Sequence, residues 1–166
     1  MSGKFLPLLV ALFFLAGCGY TPLRKDGAPF DERSIQVATF ANSSHYPEVE
    51  GRLRQALSKE LAFLPITLGE DGADLLLDGD VESLNLESVS FSGQDKVLIY
   101  RIQLTVLARV IEGKSGKVIW KAREIVREEY PANSDMALQR NARDWAVSEA
   151  CREMAHHLVL QMRRFF

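Results

Sequence analysis

Cysteine is scarce in this chain, with only Cys18 and Cys151 among 166 residues, so no disulfide framework can carry the fold. Histidine is nearly as rare. His45 sits in a loop-like stretch and reads as an ordinary surface histidine. His156 and His157 are adjacent in a helical pattern, so they point about 100° apart and cannot chelate one ion as an i, i+4 pair does. No run of ~20 apolar residues is present to span a membrane as a helix. There is no Gly-x-Ser-x-Gly elbow, and Ser, His and Asp occur together without any motif that would join them. The acidic residues Glu70, Asp71, Asp74, Asp78 and Asp80 lack the spacing of a calcium loop and read as a solvated turn and strand face. Neither sign of charge dominates, with 20 basic residues against 22 acidic and a net charge of −2, which excludes the broad basic footprint of a nucleic-acid binder. Neither an internal repeat nor a low-complexity tract occurs.

What is present begins with a leader. Lys4 is followed by an apolar stretch over residues 5–15 and then by the small pair Ala16-Gly17, the three-part grammar of a secretory signal peptide. Leu15-Ala16-Gly17-Cys18 resembles the lipobox of bacterial lipoproteins. That resemblance implies a diacylglycerol on the Cys18 sulfur, cleavage after Gly17 and acylation of the new amino terminus. Several acyl chains anchor stably at ~0.8 kcal/mol per buried methylene, so the expected protein is tethered to a membrane through lipid, with no other cofactor. Gly19 stands where lipoproteins retained in the inner membrane of Gram-negative bacteria tend to carry Asp, which favours the periplasmic face of the outer membrane. Cys151 is then left alone. It lies in a helical pattern beside Val147, Ala150, Met154 and Ala155, so it reads as a core thiol.

After the signal peptide, residues 1–17, the segment 18–34 contains Thr21-Pro22, Gly27 and Ala28-Pro29 without a sustained period and reads as a lipidated tether. Residues 35–166 have the length of one domain. Residues 35–40 form a β-rich run, and Asn42-Ser43-Ser44 supplies turn and cap chemistry before a helix over 47–64, whose apolar residues recur at three and four until Pro65 stops it. Residues 66–68 read as a short extended piece. Three long extended segments follow, 74–91, 96–111 and 117–130, joined by turns of hairpin length. In the middle one Tyr100, Ile102, Leu104, Val106, Ala108 and Val110 alternate with more polar neighbours, and the first changes phase between Val81 and Leu84, which predicts a bulge. Asn133, Ser134 and Asp135 then offer an N-cap to a helix running from about Met136 to the C-terminus. Its apolar stripe comprises Ala142, Ala146, Val147, Ala150, Cys151, Met154, Leu158, Met162 and Phe165. The predicted fold is α+β: two helices packed on one face of a mostly antiparallel four-stranded sheet, in the order β-α-β-β-β-α.

The remaining candidates for chemistry are basic and aromatic. Arg101 and Arg109 on one strand, Lys121, Arg123 and Arg127 on the next, and Arg140 and Arg143 at the start of the last helix can offer donors to phosphates. The same residues also keep an outer sheet face soluble if they pair with Glu124, Glu128 and Glu129. Trp120 and Trp145 read as packing residues, in the core or under the hairpin.

Taken together, Cys18-Gly19-Tyr20, the strand "IQVATFANSS", the hairpin segment "YRIQLTVLARV" and "NSDMALQRNA" opening the last helix resemble the LPS-assembly lipoprotein LptE family. This resemblance implies a non-enzymatic lipoprotein at the outer membrane that plugs the β-barrel LptD, supports its assembly and helps deliver lipopolysaccharide to the cell surface. It marks Arg140 as the preferred contact to lipopolysaccharide phosphate, with Arg143, Arg101, Lys121 and Arg123 as further candidates. The segment "FANSSHYPEVE" also looks like envelope lipoproteins of the LpoB type, which activate peptidoglycan synthases. A short tether of about 16 residues, reaching a couple of nanometres at ~5–6 Å × √n, favours a partner at the same membrane.

Overall fold

The computed structural model describes residues 33–70 and 72–166. The expected signal peptide, Cys18 and nearly all of the expected tether therefore lie outside the described residues. The elements are β1 (Ser34–Val37), β2 (Ala41–Asn42), α1 (Val49–Leu61), β3 (Thr67–Leu68), β4 (Leu75–Phe91), β5 (Val97–Glu112), β6 (Val118–Pro131) and α2 (Met136–Phe165).

The α+β class and the two helices are as expected, but the sheet is larger and mixed. Six strands form it, in the order β3-β1-β4-β5-β6, with β2 also paired to β4. β1 is parallel to both β3 and β4, and β2 is parallel to β4. The expected four-stranded, mostly antiparallel sheet is thus corrected for a local reason. The extended run near residue 35 breaks into two short strands that dock along β4, and α1 carries the chain back over the sheet so that they meet β4 in parallel. β3 is only two residues long and falls within the short extended piece read at residues 66–68, though the four-stranded count left it out of the sheet.

The long hairpins are as the alternation predicts. β4, β5 and β6 pair antiparallel, and the register of β4 against β5 shifts between Val81 and Ser83, where the change of phase lies. Ile102, Leu104, Val106, Ala108 and Val110 of β5 are buried on the helix side, with Leu75, Leu77 and Val81 of β4 beside them. Gly79 belongs to the same row of β4. A Cβ there would overlap the Leu107 carbonyl oxygen and sit 2.6 Å from the Phe40 ring, so only glycine lets Phe40 close the core at this point.

Leu53, Leu57 and Leu61 of α1 and Ala146, Val147, Ala150, Cys151, Met154, Leu158 and Met162 of α2 cover that face. Ala142 is half-buried, while Phe165 is exposed at the end of the helix, outside the stripe predicted for it. Cys151 is a core thiol as expected, and burial pushes its pKa up to about 12, which keeps it protonated and non-nucleophilic.

The two helix starts differ. At α2, Asp135 caps the helix, its Oδ1 accepting from the Ala137 and Leu138 amides at 2.7 and 3.1 Å. Before α1, Asn42 accepts from the Ser44 amide at 3.0 Å and forms a local turn. The N-cap position is Glu48, in the left-handed region at φ 64° with no side-chain cap. Asn42-Ser43-Ser44 therefore supplies turn chemistry but not the helix cap.

Candidate functional site

The period of two along β5 and β6 puts Arg101, Arg109, Lys121, Arg123 and Arg127 on the sheet face away from the helices, as their spacing implies. There most of them are engaged. Arg101 Nη2 lies 2.6 Å from Glu129 Oε1, directly across the ladder. Arg109 makes a two-pronged pair with Asp78, at 2.9 and 3.1 Å. Arg123 reaches Glu82 at 2.7 Å, and Arg127 donates to Gln103 at 2.9 Å. Lys121 is exposed beside Arg109 in the register, and no carboxylate pairs with it among the described residues. Arg101 and Arg109 are eight residues apart, about 26 Å along a strand, so the basic candidates are spread along the sheet and do not converge on one site.

Of the three carboxylates expected to balance this face, only Glu129 does so. Glu124 and Glu128 have the opposite parity and point to the helix side. Glu124 accepts from Gln161 Nε2 at 2.6 Å and faces His157 Nδ1 at 3.5 Å. Burial, with Glu149 and Glu153 nearby, raises the pKa of Glu128. Glu149 itself is held by Arg152. His156 bonds Glu60 at 2.7 Å and so ties α2 to α1. Among the described residues no cluster of His, Cys, Asp and Glu is arranged to hold a metal ion.

The first turns of α2 separate the other two candidates. Arg140 is exposed and donates through Nε to the Met136 carbonyl at 3.3 Å. Arg143 turns inward, its guanidinium carbon 5.9 Å from the centre of the Tyr46 ring, and its Nε is buried with no hydrogen-bond partner among the described residues. Tyr46 in turn donates to Asp144 Oδ1 at 2.8 Å. Arg143, Tyr46, His45, Leu84, Leu86 and Ile102 line a pocket of about 170 Å³, room for about five or six waters at roughly 30 Å³ each. On the neighbouring strand Tyr130 stacks on Tyr100 at 5.5 Å, and its buried hydroxyl, with Gln139 nearby, makes no bond of ordinary geometry. Burial pushes this phenol's pKa up.

Tyr46, Tyr130 and the pocket role of His45 were not legible beforehand, because the loop after β2 meets α2 across nearly a hundred residues. The clue that existed is compositional: two tyrosines and an arginine near segment ends, where amphipathic side chains seek a polar partner. Trp145 also departs from expectation. It is 58 % exposed and, with Phe63 at 85 %, flanks a groove of about 450 Å³ between the helices that Arg52, Lys59 and Arg152 also line. Trp120 is packed in the core. Among the described residues none of these arrangements joins a nucleophile to a base.

The model of the lipopolysaccharide-assembly family LptE matches residues 32–162. The chain belongs to this family. The LptE match takes in all six strands and all but the last residues of α2, and with them every basic candidate. A search of curated proteins finds no match. Among solved structures the fold is similar to a putative lipoprotein from Caulobacter crescentus, with 18% identity, 79% of this chain and 89% of that chain covered, and a TM-score of 0.56. It is similar also to the rare lipoprotein B from Shewanella oneidensis, with 19% identity, 76% and 92% covered, and a TM-score of 0.55. A minor lipoprotein from Acinetobacter baumannii gives 12% identity, 83% and 94% covered, and a TM-score of 0.53. At these identities the likeness is one of fold. Among the described residues no helix is long and apolar enough to cross a membrane.

Proposed function

We propose that this protein is a non-catalytic outer-membrane lipoprotein, acylated at Cys18, that occupies the lumen of an LptD-type β-barrel, supports its assembly and aids lipopolysaccharide transport to the cell surface. The observation that carries this reading is the LptE-family match over residues 32–162. Two features support it. A flexible segment the length of residues 18–34 reaches about 2 nm, which keeps the domain beside the membrane that holds its lipid. The outer sheet face is wetted by paired charges along its length, the surface a soluble plug presents to a polar barrel wall.

For direct contact with the glycolipid, Arg140 is the candidate. It is exposed and among the described residues engages only a backbone carbonyl, whereas Arg101 and Arg123 already hold carboxylates that a phosphate would have to displace. Lys121 is free of such a partner among the described residues but lies toward the other end of the sheet, and Arg143 is turned into its pocket.

The test is co-purification from detergent-solubilised membranes with a tagged chain. A large β-barrel in the complex supports the reading; recovery of a peptidoglycan synthase instead refutes it. Mass spectrometry of the amino-terminal peptide checks the acylation of Cys18. In the purified complex, Arg140→Glu is expected to weaken lipopolysaccharide binding while Arg101→Ala leaves it nearly intact, and unchanged binding by Arg140→Glu removes that assignment.

A further inference from the structure

The two long edges of the sheet are built differently. β6 presents Lys121, Arg123, Arg127 and Glu129 and ends at Pro131, the charges and proline with which natural edges resist further pairing. β4 is guarded on its other side only in its first half. β1 and β2 cover it as far as Val81, whose carbonyl takes the Ser43 amide at 3.0 Å. The chain then leaves through the turn at Asn42. Over residues 83–91, β4 pairs with β5 alone among the described residues, so a row of its backbone N–H and C=O groups stands open. At ~3.3 Å per residue this edge is about 30 Å long. It carries a single charge, Glu87, and no lysine or proline, and its register is regular from Ser83 to Ser88, with irregularities only at its far end, between Ser88 and Phe91.

The pocket of Arg143 opens at this edge, because Leu84 and Leu86 of the same segment form part of its wall. A half-buried guanidinium with an unsatisfied Nε is costly unless an acceptor meets it. The Tyr46 ring offsets part of that cost, but no carboxylate pairs with Arg143 among the described residues. An open backbone ladder, an apolar wall and an unmatched cation thus share one place.

We infer that the free edge of β4 is a strand-addition site, where an extended segment of the protein partner pairs with residues 83–91 and turns an acidic side chain into the pocket beneath Arg143. This deepens the proposed function and rests on it, since the partner is the β-barrel of that reading. In strand addition the backbone ladder supplies affinity, while pockets for alternate side chains supply selectivity. Every second side chain of the incoming strand falls on the helix side, over Leu84 and Leu86, so its neighbours there are apolar and its carboxylate is single. The guanidinium suits that group because it can bind a carboxylate through two parallel N–H bonds.

The experiment is hydrogen exchange on the tagged full-length chain in detergent, alone and in complex with the β-barrel extracted with it. The amides of residues 83–91 that face away from β5 are expected to slow by tenfold or more in the complex, while those of β6 stay unchanged. Arg143→Gln is expected to speed dissociation of the complex by roughly tenfold or more, and Arg163→Gln, exposed in the last turn of α2, to leave it unaltered. A barrel that co-purifies without slowing exchange at 83–91 overturns the strand-addition site and leaves the proposed function standing. Recovery of no barrel overturns the proposed function and this partner with it. Slow exchange already present in the chain alone at the amides that face away from β5 overturns the inference in favour of the chain's own amino-terminal segment, or of a second copy where it rises with concentration. Slowing produced by dodecyl phosphate micelles without the barrel assigns the edge to lipid and overturns it likewise.

Discussion

Gly79→Ala tests how tightly the sheet and the segment leading to the pocket are joined. The added Cβ would overlap the carbonyl oxygen of Leu107, come 3.0 Å from the Ala108 Cα and sit 2.6 Å from the Phe40 ring. Two of these three neighbours are backbone of β5, held between β4 and β6, which cannot swing aside as a flexible side chain does. Overpacking of this kind costs about 1–3 kcal/mol, and a clash with backbone belongs at the upper end. At ~3 kcal/mol, a domain of this size should lose about 10 °C in Tm. The assay is urea and thermal unfolding followed by circular dichroism. A second substitution sharpens it. Phe40 is buried, so Phe40→Ala alone should cost about 3–5 kcal/mol, but in Gly79→Ala the new methyl occupies part of the space the ring vacates. The double variant should therefore be less destabilised than the sum, by about 1 kcal/mol or more. A loss below ~1 kcal/mol for Gly79→Ala, or strict additivity in the double variant, would refute the reasoning.

Glu128 has a raised pKa in the folded chain, chiefly through burial, so folding opposes its ionisation. That penalty is absent below the ordinary Glu range and grows as pH rises through the raised folded value. Glu128→Gln should accordingly be more stable than the parent at pH 7, with the difference vanishing below about pH 4; a Tm gap that widens on acidification contradicts this. Asp135→Ala removes the acceptor of two amides at the start of α2 and should cost about 1 kcal/mol, whereas Ser134→Ala, whose side chain does not cap, should fall within a few tenths in the same denaturation series. Cys151 is buried, and its thiol pKa is pushed up to about 12. A disulfide reagent at pH 8 should modify it only as fast as the chain opens, and labelling at the rate of a free thiol in the native protein would exclude its burial.

The parts of the fold that could be read in the sequence are those where a period runs long. The alternation in β5, the change of phase at Val81, the cap at Asp135 and most of the α2 stripe each rest on local regularity, and each reappears in the structure. What could not be read depends on distant partners. β2 is two residues long and exists because β4 lies beside it, and β3, though read as an extended piece, gains its place in the sheet from β1. The left-handed residue at Glu48 takes its conformation from the turn between Asn42 and α1. Trp145 stands one residue before the buried Ala146 and so falls outside the stripe. The carboxylates of β6 show the difference most plainly. Glu124, Glu128 and Glu129 look alike as a charged run, but parity sends only Glu129 to Arg101 and turns the other two under α2.

That same parity bears on where an anionic ligand or partner would be recognised. A guanidinium already held by a carboxylate, as in the Arg109–Asp78 and Arg101–Glu129 pairs, must give up that partner before it binds another anion, so the exchange gains little. Exposed pairs contribute under ~1 kcal/mol to stability, yet they lower the attraction of the whole face for phosphate. Arg140 and Arg143 are different: among the described residues one engages only a carbonyl of its own helix, and the other has an unsatisfied Nε. Both stand at the end of the sandwich where the free edge of β4 and the start of α2 meet. Neutralising Arg109 and Arg123 should consequently change anion binding less than neutralising Arg140 and Arg143, although the first two residues lie on the broader and more visibly basic surface.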